Sequence, residues 1–264
     1  IGNIKEKIQT RHEITHEIIN LLGKKCLVVD DEKVNIVISE DQHEVVKAHL
    51  SVKDFDGEKK FLVKEPAVVK DKKLFLFVKR VFDILLSLVA IIVFLIPGVI
   101  IAVCVAVSSK GAVIYSQKRL GKGGKEFNIY KFRTMVVDAE KHGAVWAKKD
   151  DDRVTAVGAV LRKTHLDEIP QFWNILKGDM SFVGPRPERR VFYDEFETYI
   201  VGFSHRLYVK PGLTGWAQIN GGYELKPEEK VAWDVEYIEK QSIWIDIKCI
   251  LNTYKLLLGD EKAR

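Results

Sequence analysis

The sequence predicts an α+β fold: a mostly helical carboxy-terminal domain with short β strands and amphipathic interfacial helices, a re-entrant membrane helix broken at Pro97, and a small β-containing amino-terminal region. Three observations carry this expectation. The run 84–107, "ILLSLVAIIVFLIPGVIIAVCVAV", holds 24 residues without a charge and has Pro97-Gly98 near its middle. Downstream segments repeat apolar residues at helical spacing, and two short segments alternate like strands. Upstream, "KKCLVVDDEKVNIVIS" (24–39) alternates at Val34, Ile36 and Ile38, which reads as strand, turn, strand.

Residues 1–73 form the first unit of this reading, a small region of unreadable role that is best taken as the remnant of a larger amino-terminal domain. Its "LVVDDE" resembles the opening of a receiver domain. Such a domain would need far more chain than remains before the apolar run, so that reading is discarded. No secretory signal is expected at the start.

Residues 74–109 form the second unit. As one straight helix the apolar run would be about 36 Å long, against a hydrocarbon core of about 30 Å. Lys72, Lys73, Lys79 and Arg80 precede it, and Lys110, Lys118, Arg119, Lys122 and Lys125 follow it. Positive charge marks the cytoplasmic side, and a simple span would satisfy one end only. A helix that enters, breaks and returns satisfies both. Pro97 supplies the break, because proline removes a helix hydrogen bond.

Residues 110–264 form the third unit. "AVIYSQKRL" and "KEFNIYKFRTM" read as two strands joined by "GKGGK", a basic turn without the spacing of a nucleotide phosphate loop. Helices are expected over 134–145, 154–163, 187–205 and 226–241. In the final "SIWIDIKCILNTYKLLLG", Ile243, Ile247, Ile250, Leu251 and Tyr254 line one helix face, suited to a core or, with Trp244, to a bilayer surface.

Composition excludes several classes. The three cysteines lie far apart and form no CxxC pair, so a zinc site or disulfide framework is not expected. The net charge of +5 suits anionic lipid, nucleic acid or phosphorylated small molecules. Nucleic acid is not expected, because the aromatics do not interleave with the basic residues as a stacking surface requires.

Chemistry concentrates in "KTHLDEIPQFWNIL". Asp167 and Glu168 stand just before Pro170, and two readings remain open. In one, Asp167 caps a helix with Pro170 in its first turn, or closes a capping box with Thr164. In the other, the acids form a reaction centre. Arg162 lies just upstream, Arg186 lies downstream between Pro185 and Pro187, and Arg133 sits in "YKFRTM". Guanidinium forks suit phosphate oxygens, and carboxylates among them suit Mg²⁺. A glycosidase would also use two carboxylates, but they must face each other across a sugar at about 5–9.5 Å, which sequence neighbours rarely do.

The pieces "KRVFDILLSL", "YKFRTM", "LRKTHLDEIPQFWNILKGDMSFVGPRP", "KPGLTGWAQINGG" and "WDVEYIEKQSIWIDIKCI", in this order over about 180 residues, resemble the bacterial sugar transferase family. These are monotopic polyprenyl-phosphate phosphoglycosyl transferases of the bacterial cytoplasmic membrane. The resemblance implies that 110–264 is the cytoplasmic catalytic domain. It implies transfer of a sugar 1-phosphate from a UDP-sugar to undecaprenyl phosphate, with release of UMP, at the start of capsule, exopolysaccharide or O-antigen assembly. Glucose or galactose is the first expectation for the sugar and an N-acetylhexosamine the second; the rival is a non-catalytic membrane-anchored scaffold, which would leave the cluster of acids, arginines and prolines unexplained. Carried over, Asp167 is the nucleophile and Glu168 the partner that, with Asp167, binds Mg²⁺. Arg162, Arg186, Pro185, Pro187 and Arg133 shape the substrate site, and Asp234 is a further acid of interest. Members often have serine before the proline of the break; Ile96 stands there in this chain. A homodimer through the amino-terminal region is a further expectation.

Overall fold

The computed structural model describes residues 43–67, 72–137, 139, 151–221 and 225–258, and mixes helix with three small sheets. The strands read at 24–39 and most of the helix read at 134–145 lie outside the described residues.

The described part of the amino-terminal region carries β structure of its own. Helix α1 (His43–His49) runs directly into the hairpin β1 (Leu50–Phe55) and β2 (Glu58–Val63). Its turn is Asp56-Gly57, with φ of 54° and 88°; left-handed conformations at both positions match the right-handed twist of the flanking strands. Asp54 accepts a hydrogen bond from the Gly57 N–H at 2.8 Å. β2 then pairs in parallel with the two-residue β6 (Ile200–Val201), Phe61 opposite Ile200. Val46, Leu50, Phe61 and Val63 share one buried cluster with Phe196, Phe203, Val231 and Val235. Residues 43–63 are therefore packed into the carboxy-terminal core.

The apolar run forms two helices, α2 (Lys73–Val93) and α3 (Leu95–Ser108), bent by 61°. No single described helix is long and apolar enough to cross a membrane. The bend falls at Phe94, three residues before Pro97, which sits in the first turn of α3. A proline lacks the donor for the carbonyl four residues earlier and crowds it. For Pro97 that carbonyl belongs to Val93, the last residue of α2. Both helices keep large apolar side chains exposed, among them Phe82, Leu85, Val89, Ile92, Ile96 and Val103.

Three charged residues of "KRVFD" fasten α2 to the rest of the molecule. The Arg80 guanidinium donates to the carbonyls of Ile175 and Leu176, both at 2.7 Å. Those are carbonyls of the last turn of α5 (Gln171–Lys177), where a cation is favoured. Buried Asp83 accepts from the Ser181 hydroxyl and the Phe182 N–H, both at 3.0 Å. Lys79 pairs with Asp246 and donates to the Tyr237 hydroxyl at 3.3 Å.

Strands β3 (Ile114–Leu120) and β4 (Glu126–Phe132) form the expected hairpin, Leu120 opposite Glu126. Residues 134–137 are not helical: Met135 forms a bridge with Val154 and so extends the strand direction. Helix α4 (Ala156–Thr164) follows, its first turn capped by the Thr155 hydroxyl, which accepts from the Gly158 N–H at 2.9 Å.

Strands β5 (Ser181–Val183) and β7 (Gly212–Thr214) pair in parallel. The helix expected over 187–205 is only α6 (Arg190–Phe196). Gly202 at φ 91° and the pairing of β6 with β2 end it, and Glu197 accepts from the N–H groups of Gly202 and Ser204. A 3-10 helix, Phe203–Tyr208, takes over. Helices α7 (Trp216–Gly221), α8 (Pro227–Lys240) and α9 (Ile243–Leu258) complete the described chain. α8 is buried around most of its circumference, whereas α9 buries Cys249 and exposes Trp244, Leu251 and Tyr254.

Candidate active site

The acid pair sits in a one-turn 3-10 helix, Leu166–Glu168, between α4 and α5. α4 stops at His165, whose left-handed φ of 54° turns the chain sharply. Neither capping arrangement forms. The N-cap of α5 is Pro170 and has no side-chain cap, while the Thr164 hydroxyl donates back to the Val160 carbonyl at 2.9 Å. Proline fits there because the N-cap N–H makes no helix bond.

Leu166 and Ile169 on either side of the acids pack into a cluster with Phe132, Leu161 and, from α3, Ile101 and Val105. The bent helix therefore lies directly beneath the acid pair. From the other side, buried Asn174 ties α5 to β4 by accepting from the Tyr130 N–H at 3.1 Å and donating to the Asn128 carbonyl at 2.7 Å. β4 is thus held in the register that aims Lys131 at the acids.

Both carboxylates are buried, yet their surroundings differ. Glu168 Oε1 accepts from Lys131 Nζ and from an Arg186 terminal nitrogen, each at 2.6 Å. Lys131 Nζ stands 4.0 Å from Asp167 Oδ2, outside hydrogen-bonding range. Burial alone would push both groups up. At Glu168 the Arg186 and Lys131 charges overcome it and hold the carboxyl well below the usual range. At Asp167 burial prevails, aided by the Glu168 charge and opposed chiefly by Lys131, so this carboxyl is shifted upward.

Of the residues expected at the site, the structure brings together Asp167, Glu168, Arg186 and its flanking prolines. Arg162 and Arg133 are elsewhere engaged. Arg162 Nε donates to the Thr134 hydroxyl at 2.9 Å, joining α4 to the end of β4. Arg133 closes the carboxy-terminal end of α3, donating to the carbonyls of Ser109 at 2.6 Å and Val105 at 3.3 Å. It is a clamp on the apolar helix. Asp234 pairs with Arg206 in the interior, at 2.6 Å, away from the acid pair. Pro97 marks the bend and lies outside the site. Lys131 joins the site without a signal of its own beyond its place in "YKFRTM", two residues before Arg133.

The backbone around Arg186 is fixed without amide donors from either proline. Four consecutive carbonyls each accept one bond: Pro185 from the Gly212 N–H at 2.9 Å, Arg186 from Arg206 at 2.9 Å, Pro187 from Arg119 at 3.3 Å, and Glu188 from the Leu120 N–H at 3.0 Å. Gly212 and Gly184 are required there, because a Cβ on either would meet backbone at 2.1 and 2.3 Å.

Among the described residues no group of three or more His, Cys, Asp or Glu could enclose a metal ion. A two-carboxylate site completed by substrate phosphates is what Mg²⁺ ordinarily uses, and this pair fits it. Both cations converge on Glu168 Oε1.

The family model for bacterial sugar transferases matches residues 74–260. The chain belongs to the bacterial sugar transferase family. Family members with assigned names include an Aeromonas hydrophila UDP-N-acetylgalactosamine-undecaprenyl-phosphate N-acetylgalactosaminephosphotransferase, 43% identical over 72% of this chain and 46% of that protein. An Escherichia coli UDP-glucose:undecaprenyl-phosphate glucose-1-phosphate transferase is 44% identical over 66% of this chain and 39% of its own length. The Streptococcus agalactiae galactosyl transferase CpsE is 36% identical over 94% of this chain and 63% of its own. The chain thus spans less than half the length of the first two relatives. The three names carry three different sugars, so membership of the family leaves the sugar open.

Proposed function

We propose that this protein transfers a sugar 1-phosphate from a UDP-sugar to undecaprenyl phosphate and releases UMP. The observation that carries the reading is the unequal pair of buried acids beside Lys131 and Arg186, lying on the cluster that the bent apolar helix completes. Family membership supports the same reaction class.

In this reading Asp167 is the nucleophile. Glu168 already holds two cations and is the poorer attacking group. An Asp167 oxygen attacks the β-phosphorus of the UDP-sugar, the bond from that phosphorus to the bridging oxygen breaks, and UMP leaves with the electron pair. The product is an aspartyl phosphosugar, a type of covalent intermediate that carboxylates form elsewhere. A phosphate oxygen of undecaprenyl phosphate then attacks the same phosphorus, and the Asp167 carboxylate departs. Lys131 and Arg186 stay at fixed positions beside the charge that develops on the phosphoryl oxygens, which is where such reactions gain most. Asp167 and Glu168 would hold Mg²⁺, which would supply further neutralisation of the diphosphate.

The 61° bend, the exposed apolar surface of α2 and α3 and the basic residues at both ends favour a re-entrant element in the cytoplasmic leaflet, with residues 110–264 on the cytoplasmic face. A soluble nucleotide sugar then reaches the acids from the cytoplasm, and the lipid phosphate from the membrane side. Glucose or galactose is the favoured sugar. An N-acetylhexosamine is the second reading, supported by the name of the A. hydrophila relative.

Purified protein in lipid nanodiscs with Mg²⁺, undecaprenyl phosphate and a panel of UDP-sugars should release UMP in sustained turnover from one sugar class. Without acceptor it should stop after one equivalent and retain labelled phosphosugar on Asp167. Near-wild-type turnover by Asp167→Asn would sink the nucleophile assignment, and unchanged activity in EDTA would remove the metal.

A further inference from the structure

Arg206 and Asp234 form the most enclosed ion pair among the described residues, with side-chain exposures of 3% and 2% and a separation of 2.6 Å. Arg206 lies in the 3-10 helix Phe203–Tyr208 and Asp234 in the middle of α8. The guanidinium is also stacked over Phe203, 4.9 Å from the ring centroid, and stands 6.0 Å from that of Tyr193. A pair so far from water is poor value as a stabiliser, because well-packed apolar groups of the same volume often serve as well or better. Its geometry points to another use.

Arg206 is bidentate toward two different partners. Nε donates to Asp234, while a terminal nitrogen donates to the Arg186 carbonyl at 2.9 Å. Arg186 in turn reaches Glu168 at 2.6 Å. The four carbonyls from Pro185 to Glu188 are all tethered, two by main-chain N–H groups and one by the partly exposed Arg119. The tether at Arg186 itself comes from a side chain with its own buried counter-ion and an aromatic bed. Only a planar fork can satisfy both partners at once; an ammonium presents one compact charge.

We propose that Arg206, held by Asp234, is a positioning residue that fixes the Arg186 backbone so that the Arg186 side chain meets Glu168 and the substrate phosphates in register. It touches neither the acids nor the substrate and acts through Arg186. The proposal rests on the phosphosugar-transfer reading above. A misplacement of about 1 Å at such a site can cost about 100-fold in rate.

The test separates positioning from stability. Arg206→Lys retains a cation for Asp234 but cannot bridge to the Arg186 carbonyl as well; Arg206→Met loses both. The readouts are thermal unfolding in nanodiscs and the single-turnover rate of phosphosugar labelling on Asp167 at saturating UDP-sugar. Arg206→Lys should unfold within a few degrees of wild type, yet label at least tenfold more slowly, with KM for UDP-sugar changed less than threefold. In an Arg186→Gln background the same substitution should cost less than twofold, because no side chain remains to be aimed. Wild-type labelling by Arg206→Lys, a rate that simply follows the folded fraction, or an undiminished loss in the Arg186→Gln background would each overturn the proposal. Absence of labelling in wild type with every UDP-sugar would refute the transferase reading itself, and this proposal with it.

Discussion

Replacing Asp83 by alanine tests how α2 is held. Asp83 is 5% exposed, and its Oδ1 accepts from the Ser181 hydroxyl and the Phe182 N–H, each at 3.0 Å. The substitution leaves two donors in the interior without an acceptor. Hydrogen bonds to a charged group contribute about 1.5–3 kcal/mol each, so removing two predicts a loss of about 3–6 kcal/mol. For a chain of this size about 1 kcal/mol corresponds to about 2–4 °C, which puts the fall in apparent Tm near 10 °C. The comparison is Asp54→Ala, which removes the acceptor for Gly57 in an exposed turn and should cost no more than about 1 kcal/mol. Thermal unfolding of both variants in the same nanodisc preparation gives the contrast directly. The reasoning fails if Asp83→Ala unfolds within about 2 °C of Asp54→Ala. In that case α2 is held by Lys79, Arg80 and apolar contacts alone.

Lys131→Met should slow turnover by about 100-fold or more, as removal of one fixed electrostatic stabiliser does elsewhere. Its pH profile should move as well: burial pushes the Asp167 carboxyl up and Lys131 is the main opposing charge. Without Lys131, Asp167 protonates at higher pH, so activity falls away earlier on acidification; an acid limb unchanged from wild type would exclude that role. Gly158→Ala places a Cβ 2.0 Å from the Thr134 carbonyl oxygen and should cost about 3 kcal/mol or more, measured as a lowered unfolding midpoint, because backbone rather than a flexible side chain blocks it. Trp244→Ser, at a side chain 80% exposed on α9, should leave the unfolding midpoint within about 1 °C and weaken sedimentation with anionic vesicles. Equal vesicle binding by the variant would exclude α9 from contact with the bilayer surface.

What could be read from the sequence followed local rules. The hairpin of β3 and β4, the span of α8 and the amphipathic face of α9 each depend on a pattern within a few neighbouring residues. The acid pair was visible because two carboxylates beside a proline are unusual in an apolar segment. Partners set by tertiary contact were not visible. Arg133 and Arg162 look like phosphate ligands in sequence, which shows neither that Arg133 closes α3 nor that Arg162 Nε donates to Thr134. Lys131 looks like a surface residue of a strand, and only the packing of β4 against the 3-10 turn aims it at Glu168. The Asp56-Gly57 turn has a local signature, an aspartate-glycine pair between two alternating segments. The short α6 had no local warning except Gly202, because the pairing of β6 with β2 joins residues far apart in the chain.

The inequality of the two acids follows from where the cations come from. Lys131 is delivered by β4 and Arg186 by the tethered Pro-Arg-Pro run, and both reach Glu168 Oε1. Two adjacent carboxylates in a buried site repel each other, and the cheapest relief is to neutralise one completely. Glu168 takes that role and remains ionised as a fixed counter-charge. Asp167 has Lys131 Nζ at 4.0 Å, and burial outweighs the surrounding positive charge and raises its basicity. In the proposed reaction the more basic carboxylate is the better nucleophile toward phosphorus. The same arrangement keeps Lys131 and Arg186 in place before substrate arrives, so little of their reorganisation falls on the reaction itself. In the proposed reaction, exchanging the two residues would put the bridged carboxylate in the attacking position, so the order Asp167-Glu168 would matter to the chemistry.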